Sequence, residues 1–343
     1  MARARSVQMR SQLVAPVLAR VREAGADAAA LARRFGVPAD AAGAAEVALP
    51  LATLRALLDA AAEASADPFL GLHVAARMPR GAYGVLEYSC RSAPTVREAL
   101  TRIVRYIALL NELVTITFEE PHGRGAGAGT GVIEQRIAGE PECVGRHGNE
   151  FFVATVLGGV RQLTGAPCLA ERAWFAHAAP PDTSELEQFL GTSRLRWRAG
   201  GNGVALATEV LELPLLTSDP PLLSLLDRTA AQALAGRPAQ SRLLGHVRQR
   251  IRDSLAEAPP TLEAVASALK MSPRSLQRHL AEEGVSFRAL VEDARQELAL
   301  EYVRDPRRPL GEIAFLLGYT ELSPFLRAFK RWTGKTPSGF RAG

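Results

Sequence analysis

Cysteine is nearly absent from this chain of 343 residues, which holds three. Cys90, Cys143 and Cys168 lie far apart, without the CxxC or His-paired spacing that brings two thiolates to one metal. Their number is odd, and they read as buried or idle thiols in a reducing compartment. Thiol chemistry would need a reactive cysteine with a base beside it, or a metal-binding cluster, and the sequence displays neither. Long apolar runs are missing too: none approaches the roughly 18 residues that a membrane span requires. The arginines of a secretory leader stand near the N-terminus, but Pro16 and Arg20 interrupt the apolar stretch before an h-region forms. These absences predict a soluble cytoplasmic protein with no metal, no cofactor and no membrane partner.

Net charge is missing from most of the chain and concentrated at one end. The 41 Lys and Arg outnumber the 36 Asp and Glu, for a net charge of +5. From Gln240 onward 17 basic residues face 12 acidic ones, so the last 104 residues hold the whole excess, and the first 239 are neutral with 24 of each sign. A basic terminal module on a neutral body suits a polyanion-binding unit attached to something else. An ordinary solvated surface has the same composition. The length exceeds one ordinary core, so two or more domains are expected.

Three regions separate along the chain. Residues 11–80 read as helices: Leu13, Val14, Val17, Leu18 and Val21 fall at helical spacing, and LATLRALLDAAAEA repeats the pattern after Pro50. AAALARRFGVPADAAG resembles part of a helix-turn-helix, but its second half is alanine and glycine with no side chain able to reach a base, so helical packing is the reading. Residues 81–215 read as α+β. A helix capped by Ser92 or Thr95 precedes the alternating segments VTITFEE and GVIEQRIAG. The glycine-rich PHGRGAGAGTG between them is followed by a strand rather than a helix, which makes it a hairpin tip and not a phosphate cradle. Helix GNEFFVATVLGGVRQLTG, strand AERAWFAHAAP, helix TSELEQFLG and strands SRLRWRAG and GVALAT follow, without Rossmann spacing. A helix over 222–238 ends at Gly236, Arg237 and Pro238, and everything after it reads as helical.

The last region repeats itself. TLEAVASAL, capped by Thr261, leads through the turn KMS into PRSLQRHLAEEG, where Ser272 caps and Pro273 takes the first helical position. Leu262, Val265, Ala266, Leu269, Leu276 and Leu280 face inward, which leaves Arg274, Gln277 and Arg278 outside. After the long helix FRALVEDARQELALEYVRD the unit recurs as PLGEIAFLLGYTELSPFLRAFKRWTG. Leu262, Val265, Ala266 and Leu269 match Leu310, Ile313, Ala314 and Leu317 at an offset of 48, and Leu276 and Arg278 match Phe325 and Arg327 at 49. Two helix-turn-helix units on one connecting helix place two recognition helices in successive major grooves, about 34 Å apart. Trp332 reads as core of the second unit.

Residues 261–341, with the closing phrase TGKTPSGFR, resemble the DNA-binding domain of the AraC/XylS family of transcriptional regulators. The resemblance implies that Arg274, Gln277 and Arg278 read bases, with Leu322, Ser323 and Arg327 in the second helix, and that Arg331 and Lys335 hold phosphates. Pro324 departs from many members and restricts readout by that second helix. The front 220 residues more weakly resemble the "arabinose-binding" N-terminal domain of one branch, whose members respond to amino acids and other small metabolites. That likeness rests on WFAHAAP with Trp174 and His177, on the asparagine of AGGNGVALA and on LELPLLTSDP. The helix content argues against the β-rich cupin of the best-known members.

For the front half, Trp174 and His177 are the expected effector contacts; a loop hydrogen bond for His177 and core positions for Trp174 and Trp197 are the structural alternatives. Arg146 and His147 precede a helix whose free N–H groups attract anions, or simply belong to a solvated loop. The fold expected is an α+β sensor domain, 1–220, that binds an effector and dimerises, a connecting helix and linker, 221–239, and an all-α double helix-turn-helix domain, 240–343. The function expected is a non-enzymatic, sequence-specific regulator of transcription, acting as a homodimer on double-stranded DNA and activating RNA polymerase under control of a small molecule. Its rivals are a ligand-independent architectural DNA-binding protein and an enzyme with a DNA-binding tail, such as a DNA-repair alkyltransferase.

Overall fold

The computed structural model describes residues 8–38, 46–120, 129–137, 140–236, 243, 246–247, 250–252, 254–255, 259–282, 285–303 and 307–341. They fall into two compact units, Met1–Gly236 and Arg237–Gly343.

The first unit begins with a feature that helical periodicity hides. Strand β1 (Gln8–Ser11) pairs antiparallel with β2 (Val47–Pro50), Met9 opposite Leu49, so the mainly helical front region also holds a small sheet. Four-residue strands are too short to show alternation above the helical pattern around them. Between them, α1 (Val14–Glu23) buries Val14, Val17, Leu18 and Val21. In α2 (Ala28–Arg34), Asp27 accepts the first free amide, from Ala30 at 2.8 Å. The remainder of the helix-turn-helix-like segment, 39–45, lies outside the described residues. Helices α3 (Leu51–Ala64), α4 (Leu70–Ala76), α5 (Gly84–Arg91) and α6 (Val96–Tyr106) follow, and Thr95 caps the last by accepting from the Glu98 amide at 3.3 Å.

Strands β3 (Val114–Glu119) and β4 (Thr130–Ile137) form the expected hairpin, whose glycine-rich tip, 121–128, lies outside the described residues. Next come α7 (Gly145–Thr164), β5 (Arg172–Trp174), α8 (Ser184–Leu190), β6 (Leu195–Arg196), β7 (Asn202–Ala207), α9 (Thr208–Leu211) and α10 (Pro220–Gly236). The five strands run in the order β3-β4-β7-β5-β6, antiparallel except for the β5-β6 pair. Helix α7, buried along most of its length, is the centre of this unit. Gly71 of α4 lets it approach: a Cβ there would lie 2.1 Å from the His147 carbonyl oxygen. Helix α10 belongs to this unit, with Ala230 buried in its core and Asp227 paired to Arg102 of α6 at 3.1 Å.

The second unit is helical throughout its described residues and has two apolar clusters. Val247, Ile251, Leu255, Val265, Ala266, Leu276 and Leu280 form one, against Leu290, Val291 and Ala294 of the long helix Phe287–Val303. Ala299 and Val303, further along the same helix, meet Ile313, Ala314, Leu317, Phe325 and Phe329 in the other. One helix thus supplies a wall to both clusters.

Candidate nucleic-acid interface and an apolar cavity

The repeat seen in the sequence is also a repeat of backbone geometry. Helix Leu262–Ala268 ends with Lys270 in the left-handed region, φ 56°, and helix Leu310–Leu316 ends with Gly318 there, φ 73°. The Met271 amide donates to the Ala266 carbonyl and the Tyr319 amide to Ala314, each at 2.9 Å. The same closure, 48 residues apart, turns the chain after both helices. The next helix starts on a cap in the first pair: Ser272 Oγ accepts from the Ser275 amide at 3.1 Å, ahead of helix Pro273–Glu282. The partner helix, Leu322–Thr333, holds Pro324 in its first turn without interruption.

These helices bury one face and expose the other. Leu276 and Leu280 lie in the core, and Arg274, Gln277 and Arg278 are exposed on one helix. On the second, Phe325, Ala328 and Phe329 are buried, and Leu322, Ser323 and Arg327 are exposed. Leu322 is notable as a large apolar side chain left 40% exposed. Long donors on a helix that is one face core and one face solvent are what major-groove readout requires.

Not every base in the basic tail faces outward. Arg295 donates to the Leu317 and Gly318 carbonyls at 2.9 and 3.3 Å and lies 4.9 Å over the Tyr319 ring, which ties the second turn to the long helix. Arg341 donates to Val303 and Arg308 carbonyls at 2.8 and 2.6 Å, at the C-terminal end of that helix, where a cation also complements the helix dipole. Arg331 pairs with Glu292, which also accepts from the Trp332 indole at 3.2 Å. The hydrogen bonds from Trp332 and Arg331 hold the Glu292 carboxyl below its ordinary pKa. Lys335 is exposed just past Gly334.

The first unit contains a cavity of about 540 Å³ between β1, the end of α4, α5, α6, β3 and α7. Leu86, Leu100, Ile103, Phe151, Phe152 and Val156 give it a mainly apolar wall. Tyr83 and Thr155 also stand in its wall, with Tyr83 Oη and Thr155 Oγ1 buried and close to one another. Burial pushes the Tyr83 pKa up, so the phenol stays protonated and a donor.

Trp174 and His177 do not line this cavity, and the fold sends them to different clusters. Trp174 packs with Ala199, Ala205 and Val132, and a Cβ on Gly203 would come within 2.3 Å of its ring, so β7 must carry glycine there. His177 is buried near Phe175 and Trp197, with ring centroids 5.3 Å from each. Its Nδ1 faces the Asn149 amide at 3.3 Å and its Nε2 faces the wholly buried Glu150 carboxylate at 3.4 Å. Asn149 receives the Val144 amide at 3.0 Å and the Asn202 side chain at 2.9 Å, and Asn202 receives the Ala176 amide at 2.8 Å. Arg146 completes the group by donating to Glu150 at 3.0 Å and to the Pro68 carbonyl at 2.7 Å. His147 is buried, which pulls its pKa down against the attraction of Glu150. WFAHAAP, the asparagine of AGGNGVALA and the start of α7 are therefore one buried network.

The three cysteines are buried, and burial pushes the Cys90 and Cys143 thiols up to about 12. Such thiols are protonated at neutral pH, the opposite of what a nucleophilic cysteine requires. No helix among the described residues is long and apolar enough to cross a membrane.

Comparison with known proteins agrees with this architecture. A family model described as the arabinose-binding domain of AraC transcription regulator, N-terminal, matches residues 25–215, and one described as a helix-turn-helix domain matches 265–343. The chain is 30% identical over 325 residues to the HTH-type transcriptional regulator VirS of Mycobacterium tuberculosis, covering 94% of this chain and 93% of that one. It is 29% identical over 275 residues to the ornithine utilization regulator of Pseudomonas aeruginosa, covering 80% of this chain and 79% of that protein. Over 101 residues it is 39% identical to the HTH-type transcriptional regulator VqsM of Pseudomonas aeruginosa, which is 29% of this chain and 31% of that one. With a ligand-binding type of front unit and a helix-turn-helix unit behind it, the chain belongs to the AraC family of DNA-binding transcription regulators.

Proposed function

We propose that this regulator reads DNA with both helical pairs and is controlled by a small molecule held in its first unit. The observation that carries the reading is the repeated turn, which presents Arg274, Gln277 and Arg278 on one helix and Leu322, Ser323 and Arg327 on another, each over its own core. The cavity of the first unit supports effector control, because a mainly apolar pocket with a few polar groups is the usual form of a small-molecule site. In this reading the protein works in the cytoplasm as a homodimer joined through its first units and activates transcription by contact with RNA polymerase. Ligand binding shifts the population of forms in which the basic units are placed to grip the operator.

Selection of duplex fragments from a random pool with the full chain tests the DNA half: it should enrich one recurring sequence, and failure to enrich any would refute sequence-specific reading. On the enriched fragment, a metabolite library should contain a compound that changes operator affinity and transcription by purified polymerase. A library that changes neither favours a ligand-independent DNA-binding protein.

A further inference from the structure

Resting on the reading of the first unit as an effector domain, we propose that the cavity takes an uncharged, mainly hydrocarbon molecule, such as a medium-chain ketone or alcohol, and not a free amino acid or sugar. The balance of groups around the cavity carries the assignment.

Charges in the wall are already matched within the protein. Arg10 faces Glu46 at 3.4 Å, and Arg91 faces Glu87 at 3.8 Å while donating to Gln162 at 3.2 Å. Glu87 also receives the Gly81 and Tyr83 amides at 2.9 and 3.4 Å. An ammonium or carboxylate entering this space would lose its water and displace an existing partner to find a counter-ion. The side-chain amides are committed as well. Asn111 donates to the Arg10 carbonyl and accepts from the Leu113 amide, both at 2.9 Å. The Gln135 carbonyl oxygen accepts from Asn202 at 3.4 Å. A sugar would bury several hydroxyls here against a mainly apolar wall.

Tyr83 Oη and Thr155 Oγ1 are buried within reach of each other, so this hydroxyl pair asks for no polar partner from a ligand. The glycines of α7 keep the remaining space open. A Cβ on Gly159 would meet no heavy atom within 4 Å, and one on Gly158 would meet only Phe189, at 3.8 Å. Glycine inside a helix weakens it, and no steric contact at Gly159 demands one.

The test uses the full chain with three probes, 2-undecanone, undecanoate and L-ornithine, followed by calorimetric titration and by the midpoint of thermal unfolding. 2-Undecanone should bind saturably and raise the midpoint, and the other two should do neither. Thr155→Val and Tyr83→Phe keep the shape of the wall and its apolar character, and each should leave ketone binding within about twofold. Gly159→Phe should abolish binding; Gly159→Leu serves if the larger residue unfolds the unit. Ketone binding that survives Gly159→Phe or Gly159→Leu would overturn the site. Binding of undecanoate or ornithine in place of the ketone would overturn the ligand class, and so would no binding by any probe. Neither result touches effector control itself, which fails only if no metabolite alters operator affinity.

Discussion

Arg331 and Lys335 carry the same charge close together in the chain, yet their surroundings give them different work. Arg331 pairs with Glu292, so part of its charge is already neutralised within the chain. Glu292→Gln keeps an acceptor for Trp332 and removes the competing charge. Binding to DNA of any sequence should then tighten, and the salt dependence should steepen by up to about one unit in the log–log slope. Lys335→Ala should weaken all sequences alike and flatten that slope by about one unit. On the proposed reading Arg278, exposed on the first of these helices, pairs with the O6 and N7 of a guanine. Arg278→Ala should therefore cost about 1–3 kcal/mol on the operator and relax preference at one base pair. Binding selections on Arg278→Ala and Arg327→Ala decide which helix dominates; relaxed specificity in the second variant alone would transfer the reading role to Leu322–Thr333. In the first unit, Asn202→Ala leaves the Ala176 amide without its acceptor and should lower stability by about 1–3 kcal/mol, measured by denaturant unfolding.

Among the elements, α4 and α8 are joined by a titratable link. His73 of α4 lies 2.8 Å from Asp67 and 2.5 Å from Glu185 of α8, and Asp67 also receives Arg20 of α1 at 2.9 Å. Burial disfavours the charged ring, but its hydrogen bonds to Asp67 and Glu185 outweigh this and raise its pKa. Burial likewise opposes ionisation of Asp67, and the bonds from His73 and Arg20 prevail and lower its pKa. The histidine contribution is complete below its ordinary value of about 6.5 and disappears as pH rises through the raised folded value. The aspartate contribution is complete above its ordinary range and disappears only as pH falls through the lowered one. The melting midpoint of the first unit should thus decline as pH rises above about 6.5, and His73→Gln should flatten that decline. Elements also differ in how openly the sequence displayed them. Helices α1, α3, α6 and α7 were legible from apolar spacing and caps, whereas β1 and β2 were not, because the pairing that makes them strands joins residues on either side of two helices.

Across the whole molecule the charge partition follows the two cores. The basic excess lies beyond Gln240, in a unit with apolar clusters of its own. A fragment from Gln240 to Gly343 should bind DNA by itself, with affinity falling steeply as salt rises, and retention of all DNA binding by residues 1–239 would contradict this division. Some of that charge is structural, since Arg295 is spent on a carbonyl in the turn of the second helical pair and Arg341 on the carbonyl of Val303 at the end of the long helix. Substituting either should lower the stability of this unit before it alters sequence preference.

By itself the sequence determined what depends on short range. The doubled helical pair, its Thr261 and Ser272 caps and the outward Arg274, Gln277 and Arg278 all follow from periodicity and turn chemistry within a few residues. Only the tertiary structure decided which side chains share a space. Trp174 and His177 are neighbours in sequence but lie in different clusters, and the cavity takes its wall from β1, α5, α6 and α7, segments brought together only by folding. The pairing of Arg331 with Glu292 joins residues 39 positions apart and gives a residue expected to hold phosphate a partner within the chain. Local patterns specify a helix and its exposed face, but a void, a buried network and a long-range ion pair exist only where packing brings distant residues together.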